Sequence, residues 1–204
     1  MGLIRVEELE AVSNAINQAE MHTDAELVTV LARQADDYRY IPTLWAAVVA
    51  LLVPGLVWLT GLWLNVLDVL WLQLVVFAVL AMLFRLPWLM FRLVPAPVRR
   101  WRAANLARYQ FLENNLHHTK QSCGVLIFIA EAERYVEIIA DQGIAQHVSQ
   151  DQWQVIVAKF TAQVAKGDTQ QGLIECINSC GELLAQYAPA TSQKNELPNH
   201  LVLI

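Results

Sequence analysis

Charge is scarce in this chain. Only 16% of its 204 residues are charged, and 56% are hydrophobic, more apolar than an ordinary soluble domain. The formal net charge is -5, the wrong sign for a general nucleic-acid binder, so no nucleic-acid partner is expected. Cysteine is also rare. Cys123, Cys176 and Cys180 are an odd number, which does not make a disulfide framework. No zinc-finger spacing, P-loop or dinucleotide fingerprint occurs. The opening "MGLIRVEELEAVSNAI" is acidic and amphipathic, unlike a secretory signal. Val6 stands where a myristoylation motif needs Ser or Thr.

The apolar excess is concentrated in the middle. Residues 41–64, "IPTLWAAVVALLVPGLVWLTGLWL", contain no charge, and residues 66–84 contain only Asp68. Each run is long enough to cross a hydrocarbon core of roughly 30 Å. A chain this short cannot wrap two such helices on all sides, so a transmembrane hairpin is expected. Pro54-Gly55 should kink the first span without ending it. The turn is placed at Asn65 to Asp68, with Trp58, Trp63 and Trp71 around it, where indole rings favour the headgroup region.

Arginine sets the expected orientation. The turn has no Lys or Arg, whereas Arg33 and Arg39 precede the hairpin and Arg85, Arg92, Arg99, Arg100 and Arg102 follow it. The positive-inside rule then puts both termini and the soluble parts in the cytoplasm, on a multi-pass protein of the cell (bacterial inner) membrane. Residues 85–101 are apolar with interspersed Arg and three prolines. They are expected to lie in the interface, with those five arginines near anionic headgroups, serving as a topological anchor or as a lipid or partner site.

The flanking segments read as alternating elements. Val6, Leu9, Val12, Ile16 and Ala19 form one face of a helix over residues 5–21, and "AELVTVLA", residues 25–32, reads as a strand. A helix is expected over residues 102–117. "GVLIFIA", residues 124–130, is apolar throughout, as in a strand covered on both faces. "YVEIIA", residues 135–140, is the next strand. Ser149 with Gln152 makes a capping box before the stripe Trp153, Ile156, Val157, Phe160 and Val164. Gly167 closes that helix, and Asp168 with Gln171 caps another that buries Leu173, Ile177, Cys180 and Leu184. Residues 1–40 cannot form a core alone. The expected layout is therefore one layered α/β/α domain built from residues 1–40 and 102–188. The hairpin (41–84) and interfacial segment (85–101) interrupt it, and a flexible tail (189–204) follows.

The order of these pieces resembles the TPM domain family, named for its thylakoid, photosystem-repair and receptor-assembly members. The matching stretches are Ala25 to Leu31, Gly124 to Ala130, Arg134 to Gly143, and Gly167-Asp168 through Gly172-Leu173. The resemblance implies a small mixed sheet between helices. In that family some members bind divalent cations through acidic loop residues, some are phosphatases, and others act in assembly or repair. Two departures stand out: the anchor interrupts the domain, and Thr169 replaces the aromatic common after "GD".

The resemblance and the strand-end position make Asp141 the first candidate ligand for Ca²⁺ or Mg²⁺, with Glu26 and Asp168 as further ligands. The residues themselves favour an Asx turn at Asp141, helix capping at Asp168 and an exposed strand-edge charge at Glu26 over the ligand roles. Cys176 and Cys180 share a helix face and are expected to pack against the sheet. His117-His118 should end a helix. No Ser or Cys nucleophile has an evident base. The leading functional expectation is a partner-binding, assembly or repair factor at the lipid bilayer, with an unidentified membrane or cytoplasmic protein partner, or self-association as a homo-oligomer. A metal-dependent phosphatase centred on Asp141 is the alternative. A small transporter subunit, suggested by Asp68 and Gln73 in the second span, is another.

Overall fold

The structure, a computed structural model, describes residues 6–119, 121–191 and 201–204. Arg5, expected to open the first helix, and residues 192–200 of the expected tail lie outside the described residues. The chain divides into two compact units. One comprises residues 1–35 and 100–204, the other residues 36–99.

In the first unit, helix α1 (Val6–Glu20) leads into strand β1 (Glu26–Ala32). Strands β2 (Gly124–Ala130) and β3 (Tyr135–Ala140) follow much later in sequence. The sheet order is β3-β2-β1-β4, where β4 is Leu201–Leu203. β1 runs parallel to β2 and to β4, and β2 runs antiparallel to β3. A mixed α/β fold was expected and is present. The loose tail is corrected: Leu201 to Leu203 pair with Thr29 to Leu31. The physical reason is that "LVL" offers apolar side chains and a free hydrogen-bonding edge to a strand that otherwise lacks a neighbour on that side.

Both faces of the sheet are covered, which explains the unbroken apolar run of β2. On one face Leu27, Val125, Ile127 and Ile138 meet Val12 and Ile16 of α1. Trp153 and Phe160 of α7 (Gln150–Lys166) and Leu173, Ile177 and Leu184 of α8 (Thr169–Tyr187) complete that layer. On the other face Val28, Val30, Leu126 and Phe128 meet Ala103 and Ala107 of α5 (Ala96–Glu113) and Leu116. The strand period of two divides one strand between two cores.

α7 begins as its capping box requires, with the Ser149 N–H donating to Gln152 Oε1 at 2.9 Å. It ends at Gly167, whose φ of 93° is left-handed. The helix expected over residues 102–117 is shifted toward the N-terminus and starts within the expected interfacial segment, at Ala96. α5 stops at Glu113, Asn115 turns left-handed (φ 56°), and Leu116–His118 form a 3₁₀ turn that contains His117 and His118.

The second unit holds α2 (Tyr40–Leu59), α3 (Val66–Leu83) and α4 (Pro87–Leu93). Both α2 and α3 are long and apolar enough to cross a membrane. α2 ends earlier than the expected residue 64. Thr60 caps it and Gly61 takes a left-handed φ of 70°, so the turn spans residues 60–65. Pro54 lies inside α2 without ending it. Ala46, Ala50 and Val53 form the buried seam of α2, whereas α3 has no buried residue. At the base of α2, Tyr38, Ile41 and Val94 cluster with Met90, Phe91 and Val98. The Trp45 indole N–H donates to the Leu93 carbonyl at 3.3 Å.

Candidate functional site

Three strand ends meet at one edge of the first unit. β1 starts at Glu26, β2 starts at Gly124, and β3 ends before Asp141. Glu26 is the register partner of Gly124, and the Asp141 N–H donates to the Gly124 carbonyl at 2.8 Å. Glu26 and Asp141 therefore flank β2 at the same end of the sheet, about 10 Å apart by two strand spacings. Asp168 is not brought there. α7 starts near this end and runs for 17 residues, about 25 Å. Its last turns, at Val164 and Ala165, reach the β2–β3 turn at the opposite end, where they line a cavity with Glu131 and Arg134. The expected Asp168 cap is also corrected: it occupies the N-cap position of α8 without a side-chain capping bond.

Asp141 stands at the N-cap of a short helix, α6 (Gln142–Ala145), and its Oδ1 accepts from the Gln142 N–H at 2.7 Å. Its Oδ2 is buried and has no hydrogen-bond partner among the described residues. Gly143 is there for space. A Cβ at that position would collide with the carbonyl oxygens of Gln121 and Ser122, and the Gly143 N–H donates to Ser122 at 2.9 Å. "DQG" is therefore a helix-opening turn clasped by the loop before β2, with one carboxylate oxygen left over.

Beside Glu26 lies a carboxylate that sequence reasoning missed. Glu20, the last residue of α1, accepts the Leu27 N–H at 3.1 Å. Glu20 and Glu26 line a cavity of about 220 Å³ with Asn17, Met21, Thr23, Asp24 and Ala25. Burial pushes the Glu20 carboxyl up to about 7. The Leu27 N–H opposes this, and the Glu26 charge adds to it. The available signal was helical spacing, since Glu20 follows buried Ile16 by four and Ala19 by one. The loop between α1 and β1 is anchored at a distance: Thr23 Oγ1 donates to the Ala188 carbonyl at 2.6 Å and accepts from Ala25 N–H at 3.1 Å.

The cysteines are packing residues. All three are buried and none is in a disulfide, and Cys176 and Cys180 sit in the core under the sheet. The Cys180 thiol is held well above its usual range by its hydrogen bond with Cys176 and by burial, so it stays protonated. Among the described residues, no group of three or more His, Cys, Asp or Glu is placed to hold a metal ion.

Fold and strand-end geometry define a layered α/β domain, interrupted in sequence by two candidate membrane helices. The TPM domain family model matches residues 98–183, and the chain resembles that family. A solved structure shares the fold, the BA42 protein from the psychrophilic bacterium Bizionia argentinensis. It has a TM-score of 0.60 and 21% identity, and the match covers 98% of this chain and 94% of that one. No curated protein matches the chain.

Proposed function

We propose that this protein is a membrane-anchored, cytoplasm-facing TPM-like domain that binds or assembles protein partners at the bilayer. One observation carries the reading. Two apolar helices, one without a buried residue, are inserted between β1 and β2, adjacent strands of one sheet. Such an insertion tethers the domain to lipid through both of its chain connections. The arginine-rich flank after α3 favours the cytoplasmic side.

A partner-binding role draws on the sheet edge. β3 is an edge strand with Tyr135, Val136, Glu137 and Ile139 only half-buried, a form of edge that accepts an added strand. The test is a photo-crosslinker placed at Glu137 and at Ile139 in cell membranes. The expected result is a discrete adduct with one protein species or with a second copy of the chain. A monodisperse monomer with no adduct from either position would overturn the reading.

A second reading rests on the leftover Asp141 Oδ2. A divalent cation held by Asp141 and loop carbonyls near Glu26 would satisfy that oxygen and could polarise a phosphomonoester. Hydrolysis of a generic phosphomonoester with Mg²⁺ or Ca²⁺, lost in Asp141→Ala, would support it. Absent or unchanged turnover removes the phosphatase.

A further inference from the structure

We propose that the outward face of α4 and the turn leading into it, formed by Arg85, Trp88 and Arg92, holds the phosphodiester headgroup of an anionic phospholipid. This rests on the membrane reading above and names the lipid that the anchor selects. Between Asp68 and Glu113 the sequence has no acidic residue and six basic ones: Arg85, Arg92, Arg99, Arg100, Arg102 and Arg108. All six are arginine, while the lysines, Lys120, Lys159, Lys166 and Lys194, lie elsewhere. A topological anchor needs positive charge only, and lysine serves for that. Arginine alone offers the planar fork that grips two phosphate oxygens.

The structure separates two faces of α4. Met90 and Phe91 turn inward onto Tyr38, Ile41 and Val94, and the Phe91 ring meets Tyr38 edge-on at 6.0 Å. Trp88 and Arg92 lie one turn apart on the outward side, and Arg85 sits in the turn just before Pro87; all three are exposed. Trp88 is 64% exposed and Leu86 42%, apolar groups left largely open at the end of a candidate span. Indole and leucine side chains there suit the headgroup–acyl boundary, with the guanidinium groups at phosphate depth.

Among the described residues no ion pair to Arg85 or Arg92 is found. Asp37 pairs with Arg39 at 3.3 Å, and Asp36 Oδ1 accepts the Tyr38 N–H. Asp68 lies in the first turn of α3, some 17 residues and about 25 Å of helix from Arg85.

The full chain is purified in detergent with equimolar phosphatidylcholine and phosphatidylglycerol, and the lipid retained on it is quantified. Phosphatidylglycerol should be enriched over the bulk mixture. Arg85→Ala with Arg92→Ala should cut that enrichment by about fivefold for each arginine removed. Arg85→Lys with Arg92→Lys should fall between, since charge remains and the fork is lost. Added inorganic phosphate should leave the enrichment unchanged. No enrichment, an unaffected alanine variant, a lysine variant equal to the parent, or displacement by free phosphate would each overturn the inference. Carbonate extraction of wild type and variants from pure phosphatidylcholine vesicles separates the two levels. Release of all of them overturns the membrane reading and this inference with it. Retention of all of them without phosphatidylglycerol selectivity overturns this inference alone.

Discussion

At the scale of single residues, three positions decide more than their neighbours. Glu20 is a carboxyl in a half-buried niche beside another carboxyl. Its pKa rises from 4.5 to about 7, so the folded chain keeps a proton that the unfolded chain releases. The stabilisation is whole below pH 4.5 and is lost as pH climbs towards 7, with a slope of at most about 1.4 kcal/mol per pH unit. Solvent reaching this half-buried group reduces that figure. Glu20→Gln keeps an acceptor for the Leu27 N–H and cannot titrate. Denaturation between pH 5 and pH 7.5 should therefore show a flatter stability profile for the variant. Thr29 presents a different imbalance. It is wholly buried among apolar side chains, and its Oγ1 has no hydrogen-bond partner among the described residues. Thr29→Val keeps the shape and removes the stranded hydroxyl, so stability should rise by about 1 kcal/mol in a thermal melt. Gly143→Ala should act in the opposite sense. The added methyl meets two carbonyl oxygens of the preceding loop, and a loss of roughly 1–3 kcal/mol is expected from the same melt.

Among the elements, β4 carries the most consequence for its length. Only three residues pair, yet the residue after them carries the closure of the β1 edge further. The Ile204 N–H donates to the Leu31 carbonyl at 3.0 Å, and the Arg33 N–H donates to the Ile204 carbonyl at 2.7 Å. Deleting residues 201–204 should free the Arg33 amide and the Leu31 carbonyl. Hydrogen exchange should then speed up at Arg33 and along the outer side of β1, while β3 keeps its protection. Loss of protection across the whole sheet would mean that β4 is needed for global folding. The helices show the complementary lesson. α7 begins and ends where its capping box and Gly167 place it, because both signals are local. α2 stops at Leu59 because Gly61 adopts a left-handed turn. The apolar composition of residues 60–64 disguised that stop, since hydropathy measures solvent preference and not backbone geometry.

For the molecule as a whole, the central question is whether segments on either side of residues 36–99 form one body. Strand β1 comes from before that insertion and is bounded by β2 and β4 from after it. Neither segment could therefore cover its apolar surface alone. Replacing residues 36–99 by a flexible Gly/Ser linker should yield a water-soluble, monodisperse protein with protected β1 amides. Aggregation, or unprotected β1, would show that the α/β unit depends on its insertion.

Much of this was open to a reader of residues alone. Period, caps and composition are short-range properties, so α1, β1, β2, β3, α7 and α8 were legible along the chain. So were the two apolar helices and the resemblance carried by the ordered stretches around Glu26, Gly124 and Asp141. What the sequence could not determine was anything set by proximity between distant segments. The pairing of Leu201–Leu203 with β1 depends on which edge is left open. The niche of Glu20 depends on where α1 stops relative to Leu27. Asp141 stands near Glu26 and away from Asp168 because strands and helices have fixed rise per residue, and α7 carries Asp168 to the far end of the sheet. Local chemistry wrote the elements, and packing in three dimensions chose which carboxylates would become neighbours.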